Sequence, residues 1–134
     1  MKAATVRELK QEISGRSHDE LVKLCLRLSK FKKENKELLT YLLYESSNES
    51  AYINNVKKEI ERDFEEINKD SYFYIKKSVR KILRNTKKYI RYSGKKETEV
   101  ELLIYFCTEL KEIIPISHKL APLQNLYLRL IHEY

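Results

Sequence analysis

Three observations predict an all-α protein. The 134 residues hold two Gly and two Pro, too little punctuation for the many turns of a β protein. Charged and apolar residues recur at spacings of three and four, the period of a helix with one covered face. Helix-start pairs (Thr5 with Glu8, Ser17 with Glu20) and helix-stop glycines (Gly15, Gly94) stand at the ends of those periodic segments. The expected architecture is a single domain over residues 1–134 with six or seven helices. Short polar connections favour antiparallel neighbours, so the helices form an irregular bundle or a short stack of helical hairpins.

In chain order, a first helix starts at Thr5 and ends near Ser14-Gly15. A second starts at Ser17, with Leu21, Leu24, Cys25 and Leu28 as its inward face. A third, near Lys32 to Tyr44, adds Leu38, Leu39 and Leu42. Ser29-Lys30-Phe31 reads either as a break or as a continuation. The polar cluster Glu45-Ser46-Ser47-Asn48-Glu49-Ser50 is the clearest linker and the place for an internal boundary. An acidic helix follows over about 51–68, turning Ile53, Val56, Ile60, Phe64 and Ile67 inward. A basic helix runs from Asp70 or Ser71 to Tyr92 and closes at Ser93-Gly94. The segment Glu97–Ile114 is apolar on most sides, which makes it the central helix, and Pro115 stops it. The last helix, about Leu120 to Glu133, presents Leu123, Leu126, Tyr127, Leu130 and Ile131.

Composition sets the class of protein. With 42% hydrophobic and 35% charged residues the chain is too apolar for a disordered tail. A globule of this length buries roughly two thirds of the surface its unfolded chain exposes, so it needs neither a metal nor a disulfide to fold. No run approaches the roughly 20 apolar residues of a membrane span, and Met1-Lys2-Ala3-Ala4 leads into charged residues rather than a signal-peptide core. The expectation is a soluble, cytoplasmic protein with no membrane role. Cys25 and Cys107 each sit in an apolar run and read as buried core thiols.

The net charge of +7 is local. From Lys69 to Lys96 there are eleven Lys or Arg and one acid, Asp70, so this segment carries +10 and the remainder sums to −3. At about 100° per residue, Lys77, Lys81, Arg84, Lys88 and Arg91 share one face, flanked by Lys69, Lys76, Arg80 and Lys87. Ile75, Val79, Ile82, Thr86 and Ile90 lie opposite. The candidate anion-binding residues are therefore Lys76, Lys77, Arg80, Lys81, Arg84, Lys87, Lys88 and Arg91. Phosphates are the commonest partner of such a stripe, and Tyr72, Tyr74, Tyr89 and Tyr92 near its ends are suited to stack on bases. A second reading makes the stripe a solvated face partly neutralised by the acidic helix before it, whose acids cancel at most half of the excess. A third gives it an acidic protein as partner.

No catalytic, metal or cofactor motif stands out. His18, His118 and His132 lack the short spacings that hold zinc. Glu109 and Glu112 lack the His partners of a di-metal carboxylate site. Ser93-Gly94-Lys95-Lys96 resembles only the tail of a phosphate loop. The expected function is a nonenzymatic binding or scaffold module whose basic helix face holds nucleic acid or an acidic protein by charge neutralisation. The alternative is a structural or adaptor protein acting through apolar helix surfaces, for instance as a homodimer through the leucine-rich last helix, with no nucleic-acid role.

Overall fold

A computed structural model describes residues 1–113 and 121–133. Among the described residues there are seven α-helices, one π-helical turn and no strand, in agreement with the all-α expectation. The chain divides into two units, residues 1–40 and 41–134.

The first unit holds α1 (Val6–Ser14), α2 (His18–Phe31) and α3 (Lys33–Thr40). Both expected starts are present. Thr5 Oγ1 accepts the Glu8 N–H at 3.2 Å while the Glu8 carboxylate accepts the Thr5 N–H, and Ser17 Oγ accepts the Glu20 N–H at 3.2 Å. Ser29-Lys30-Phe31 continues α2, and a single extended residue, Lys32 (φ −140°, ψ 150°), ends it. Asn35 Nδ2 donates to the Leu28 carbonyl at 2.8 Å across that corner.

The expected inward face of α2 is not covered. Ser29 is the one buried residue among 1–40, while Leu24 (43%), Leu28 (63%) and Cys25 are exposed and Leu21 is half-buried. Leu38 and Leu42 are also exposed, so neither they nor Cys25 belong to a core. The physical reason is one of mass. Helices of 9, 14 and 8 residues give this unit no layer thick enough to enclose an apolar face.

The second unit has the core. It begins with the π-helical turn Tyr41–Glu45 and continues with α4 (Glu49–Glu65), α5 (Tyr72–Ser93), α6 (Lys96–Lys111) and α7 (Ala121–Glu133). Glu49 and Ser50, read from the sequence as linker, already belong to α4, because the Asn48 side chain accepts the Ala51 N–H and caps the helix there. Helix α6 packs against α4, α5 and α7 and is the central element expected from its apolar composition. Its Leu102, Leu103, Phe106, Cys107 and Leu110 are buried among Ile53, Val56, Ile60 and Phe64 of α4, Val79 and Ile82 of α5, and Leu123, Leu126 and Leu130 of α7. Phe64 and Phe106 meet with ring centroids 5.5 Å apart. Leu123, Leu126 and Leu130 of α7 are buried in this core, leaving Leu128 and Ile131 exposed. Gly94 ends α5 in the left-handed region (φ 69°), where its N–H bonds the Ile90 carbonyl at 2.9 Å. Pro115 and His118 lie outside the described residues.

Candidate functional site: the cationic face of α5

Helix α5 is built to show one face. Ser71 caps its start by accepting the Tyr74 N–H at 3.3 Å. Over six turns Ile75, Val79, Ile82, Leu83, Thr86 and Ile90 turn into the core, and Thr86 returns its hydroxyl proton to the Ile82 carbonyl at 2.8 Å. That fixes the opposite face. Lys77, Arg80, Lys81, Arg84, Lys87 and Arg91 are exposed, and Lys76 and Lys88 are half-buried. All eight residues singled out in the sequence thus come from a single rigid helix.

The face has some relief. Phe73, Lys76, Lys77, Arg80, Lys81 and Arg84 line a shallow groove of about 270 Å³. The Phe73 ring, 64% exposed, stands at its head and meets Tyr74 edge-on at 5.4 Å. The groove therefore offers an exposed aromatic surface beside five cations, the pairing that nucleobase stacking and phosphate neutralisation require together. Phe73 was not among the residues the sequence reading selected; its position, three and four residues ahead of Lys76 and Lys77, was the available signal.

The tyrosines separate into two pairs. Tyr72 and Tyr74 are exposed at the start of α5. Tyr89 and Tyr92 pack against the core, with Tyr89 donating its hydroxyl to Glu59 at 3.0 Å and accepting, at its carbonyl, the Tyr52 hydroxyl at 2.7 Å. The second pair belongs to the scaffold.

Helix α4 runs beside α5 with acids on both flanks. Glu59, Asp63 and Glu66 face Ser78, Lys81 and Asn85 across an open cleft of about 300 Å³. Burial, then the neighbouring charges of Glu59 and Glu66, raise the Asp63 pKa against the pull of Arg62 and Lys81. Among the described residues, no α4 carboxylate lies within ion-pair distance of Lys76, Lys77, Arg80, Lys81, Arg84, Lys87 or Arg91. Lys81 is the stripe cation that lines this cleft.

Three acids of α4 serve other partners, Glu59 bonding Tyr89 as above. Glu49 Oε1 accepts hydroxyl protons from Ser93 at 2.7 Å and Thr98 at 2.9 Å. Its Oε2 accepts from Tyr41 at 2.6 Å and pairs with Lys95 at 3.3 Å. Burial alone would raise this carboxyl; the three hydroxyl bonds and Lys95 outweigh it and hold the pKa below the ordinary glutamate value. Glu49 is thus a saturated acceptor tying the π-helical turn to the end of α5 and the start of α6. Glu61 accepts from Tyr105, whose hydroxyl is pushed up to about 12 by burial and by the charges of Glu109 and Glu61.

A cavity of about 610 Å³ lies between the 64–75 corner and the end of α6, with Phe64, Ile67, Ile75 and Ile113 as its apolar wall and Glu65, Glu109 and Glu112 among its polar lining. Burial and the charges of Glu112 and Glu61 raise the Glu109 pKa. Among the described residues no three His, Cys, Asp or Glu side chains come together as a metal site, and no helix is long and apolar enough to cross a membrane. No family model matches this chain, and no curated protein or solved structure matches it.

Proposed function

We propose that this protein is a nonenzymatic binding module whose α5 face holds a polyanion, nucleic acid foremost, by neutralising its phosphates. The observation that supports this reading is the separation of charge by use. Glu49, Glu59 and Glu61 of α4 are engaged within the fold, whereas Lys77, Arg80, Arg84, Lys87 and Arg91 are cations of one helix with no carboxylate in ion-pair reach among the described residues. Like charges at spacings of three and four each cost an isolated helix a few tenths of a kcal/mol. A bound polyanion converts that cost into attraction and releases counterions, which gives affinity without base-specific readout. Phe73 at the head of the groove adds a stacking surface that favours single strands.

The test is fluorescence anisotropy of labelled single- and double-stranded DNA and RNA at 50 and 200 mM salt. With six to eight cations engaged, log K falls with log salt at a slope of about −4 to −7. The Lys77→Glu, Arg80→Glu, Arg84→Glu variant, still helical by circular dichroism, loses binding at 50 mM salt. Absence of binding by the unaltered protein at 50 mM salt would contradict the nucleic-acid reading and turn attention to acidic proteins.

A further inference from the structure

We propose that Phe73 stacks one unpaired nucleobase while Lys76, Lys77, Arg80, Lys81 and Arg84 hold the phosphates beside it, so that the ligand of the α5 face is a single strand and not polyanions at large. This inference rests on the polyanion reading of that face and narrows it to one class of ligand, in which a base contact is as necessary as the charge.

Three observations select this ligand. The first is where Phe73 stands. At about 100° per residue its position lies within roughly 10° of the mean direction of the eight cations, and about 130° from that of Ile75, Val79, Ile82, Leu83, Thr86 and Ile90. It is on the solvent side of an amphipathic helix, where the fold asks for a polar residue. The ring is 64% exposed and is not part of the buried cluster, so the core does not explain it.

The second is size. The groove measures about 270 Å³, below the roughly 300–1,000 Å³ of pockets that enclose small ligands. A free nucleotide would sit mostly in water there. A strand anchored by one base instead continues past Arg84 to Lys87 and Arg91, a row that ends about 27 Å along the helix from Phe73. The third is the make-up of the groove. One aromatic ring and five cations line it, and its described lining holds no acid. Every base has a flat face for the ring, and every phosphate a charge for the cations. A duplex keeps its base faces inside its own stack, and a polyphosphate or an acidic peptide offers charge without bases. An unpaired strand uses both features at once.

Two substitutions at this exposed position test the proposal. Phe73→Ala is expected to lower affinity for a labelled single strand of about ten nucleotides roughly tenfold at 50 mM salt, the loss of one stacked base. Its salt slope is expected to match that of the unaltered protein, because no cation is removed. Affinity for duplex DNA and for inorganic polyphosphate is expected to change by less than about twofold. The unfolding midpoint is expected to stay in place, since the ring lies outside the core. The chain has no Trp, so Phe73→Trp sets a single indole at the head of the groove. Its emission is expected to be quenched by the single strand and unchanged by duplex or polyphosphate.

Phe73→Ala binding the single strand as tightly as the unaltered protein would overturn the proposal. So would an equal loss of affinity for duplex, or an indole indifferent to the single strand. Where the unaltered protein still binds duplex and polyphosphate in those cases, the polyanion reading stands and only the base contact falls. Failure of the unaltered protein to bind any of these polyanions at 50 mM salt would overturn both. Quenching by an acidic peptide and not by the single strand would overturn the proposal and assign the ring to a protein partner.

Discussion

On α4, Glu49 accepts from Tyr41, Ser93 and Thr98 and pairs with Lys95, Glu59 accepts from Tyr89, and Glu61 accepts from Tyr105. On α5, its neighbour, Lys77, Arg80, Arg84, Lys87 and Arg91 have no carboxylate in ion-pair reach among the described residues. The two helices carry opposite charges and use them differently. Acids with hydroxyl donors from other elements serve the fold, and removing them should cost stability. Cations that meet only solvent contribute nothing to the fold beyond their mutual repulsion, so removing them should leave it intact or improve it.

Mutations sharpen that contrast, beginning with the strongest. Glu49→Ala strips the acceptor from three hydroxyls and an ammonium at once and should destabilise the protein by about 3 kcal/mol, read as a lower urea midpoint with unchanged slope. Its pH dependence has a definite sign. Because the folded-state carboxyl sits below its ordinary value of 4.5, the stability it adds is present above that pH and is lost as pH falls through the folded value. The gap between the unaltered protein and Glu49→Gln should therefore shrink on acidification; a gap independent of pH between 7 and about 3 would mean that the carboxylate charge is immaterial.

Tyr52→Phe removes a buried hydroxyl bonded to the Tyr89 carbonyl at 2.7 Å and should cost about 1 kcal/mol. Burial raises the Tyr52 pKa well above 10, so its contribution holds at neutral pH and is lost as pH rises past 10 toward the folded value. Alkaline unfolding of Tyr52→Phe should accordingly fall less steeply with pH than that of the unaltered protein. The smallest effect has the opposite direction: Arg84→Gln relieves repulsion from Arg80 and Lys81 and should stabilise α5 by a few tenths of a kcal/mol. A loss of 1 kcal/mol or more at Arg84 would break the comparison, because it would give that cation a role within the fold.

The same contrast explains what the sequence could reveal. The face of α5 was legible because both its sides are local: Ile75, Val79, Ile82 and Ile90 repeat within one helix, and the cations repeat opposite them. The central place of α6 was legible from apolar residues on most of its sides, and Leu102, Phe106 and Leu110 are fully covered. The Glu49 cluster was not, since its donors come from positions 41, 93, 95 and 98, and no local pattern brings them together. Helix α2 marks the limit of periodicity. Leu21, Leu24, Cys25 and Leu28 do form one face, yet a period specifies that a face exists and not what covers it.

Cations that act outside the fold on a polyanion leave a double signature, in stability and in salt dependence. Lys77→Gln, Arg80→Gln, Arg84→Gln should be compared with the unaltered protein for unfolding midpoint and for the salt dependence of binding to a labelled oligonucleotide. Three lost phosphate contacts are predicted to flatten the log–log salt slope by about 2 to 3 while the midpoint holds or rises. An unchanged slope together with a lowered midpoint would contradict the account and make the stripe part of what holds the protein together.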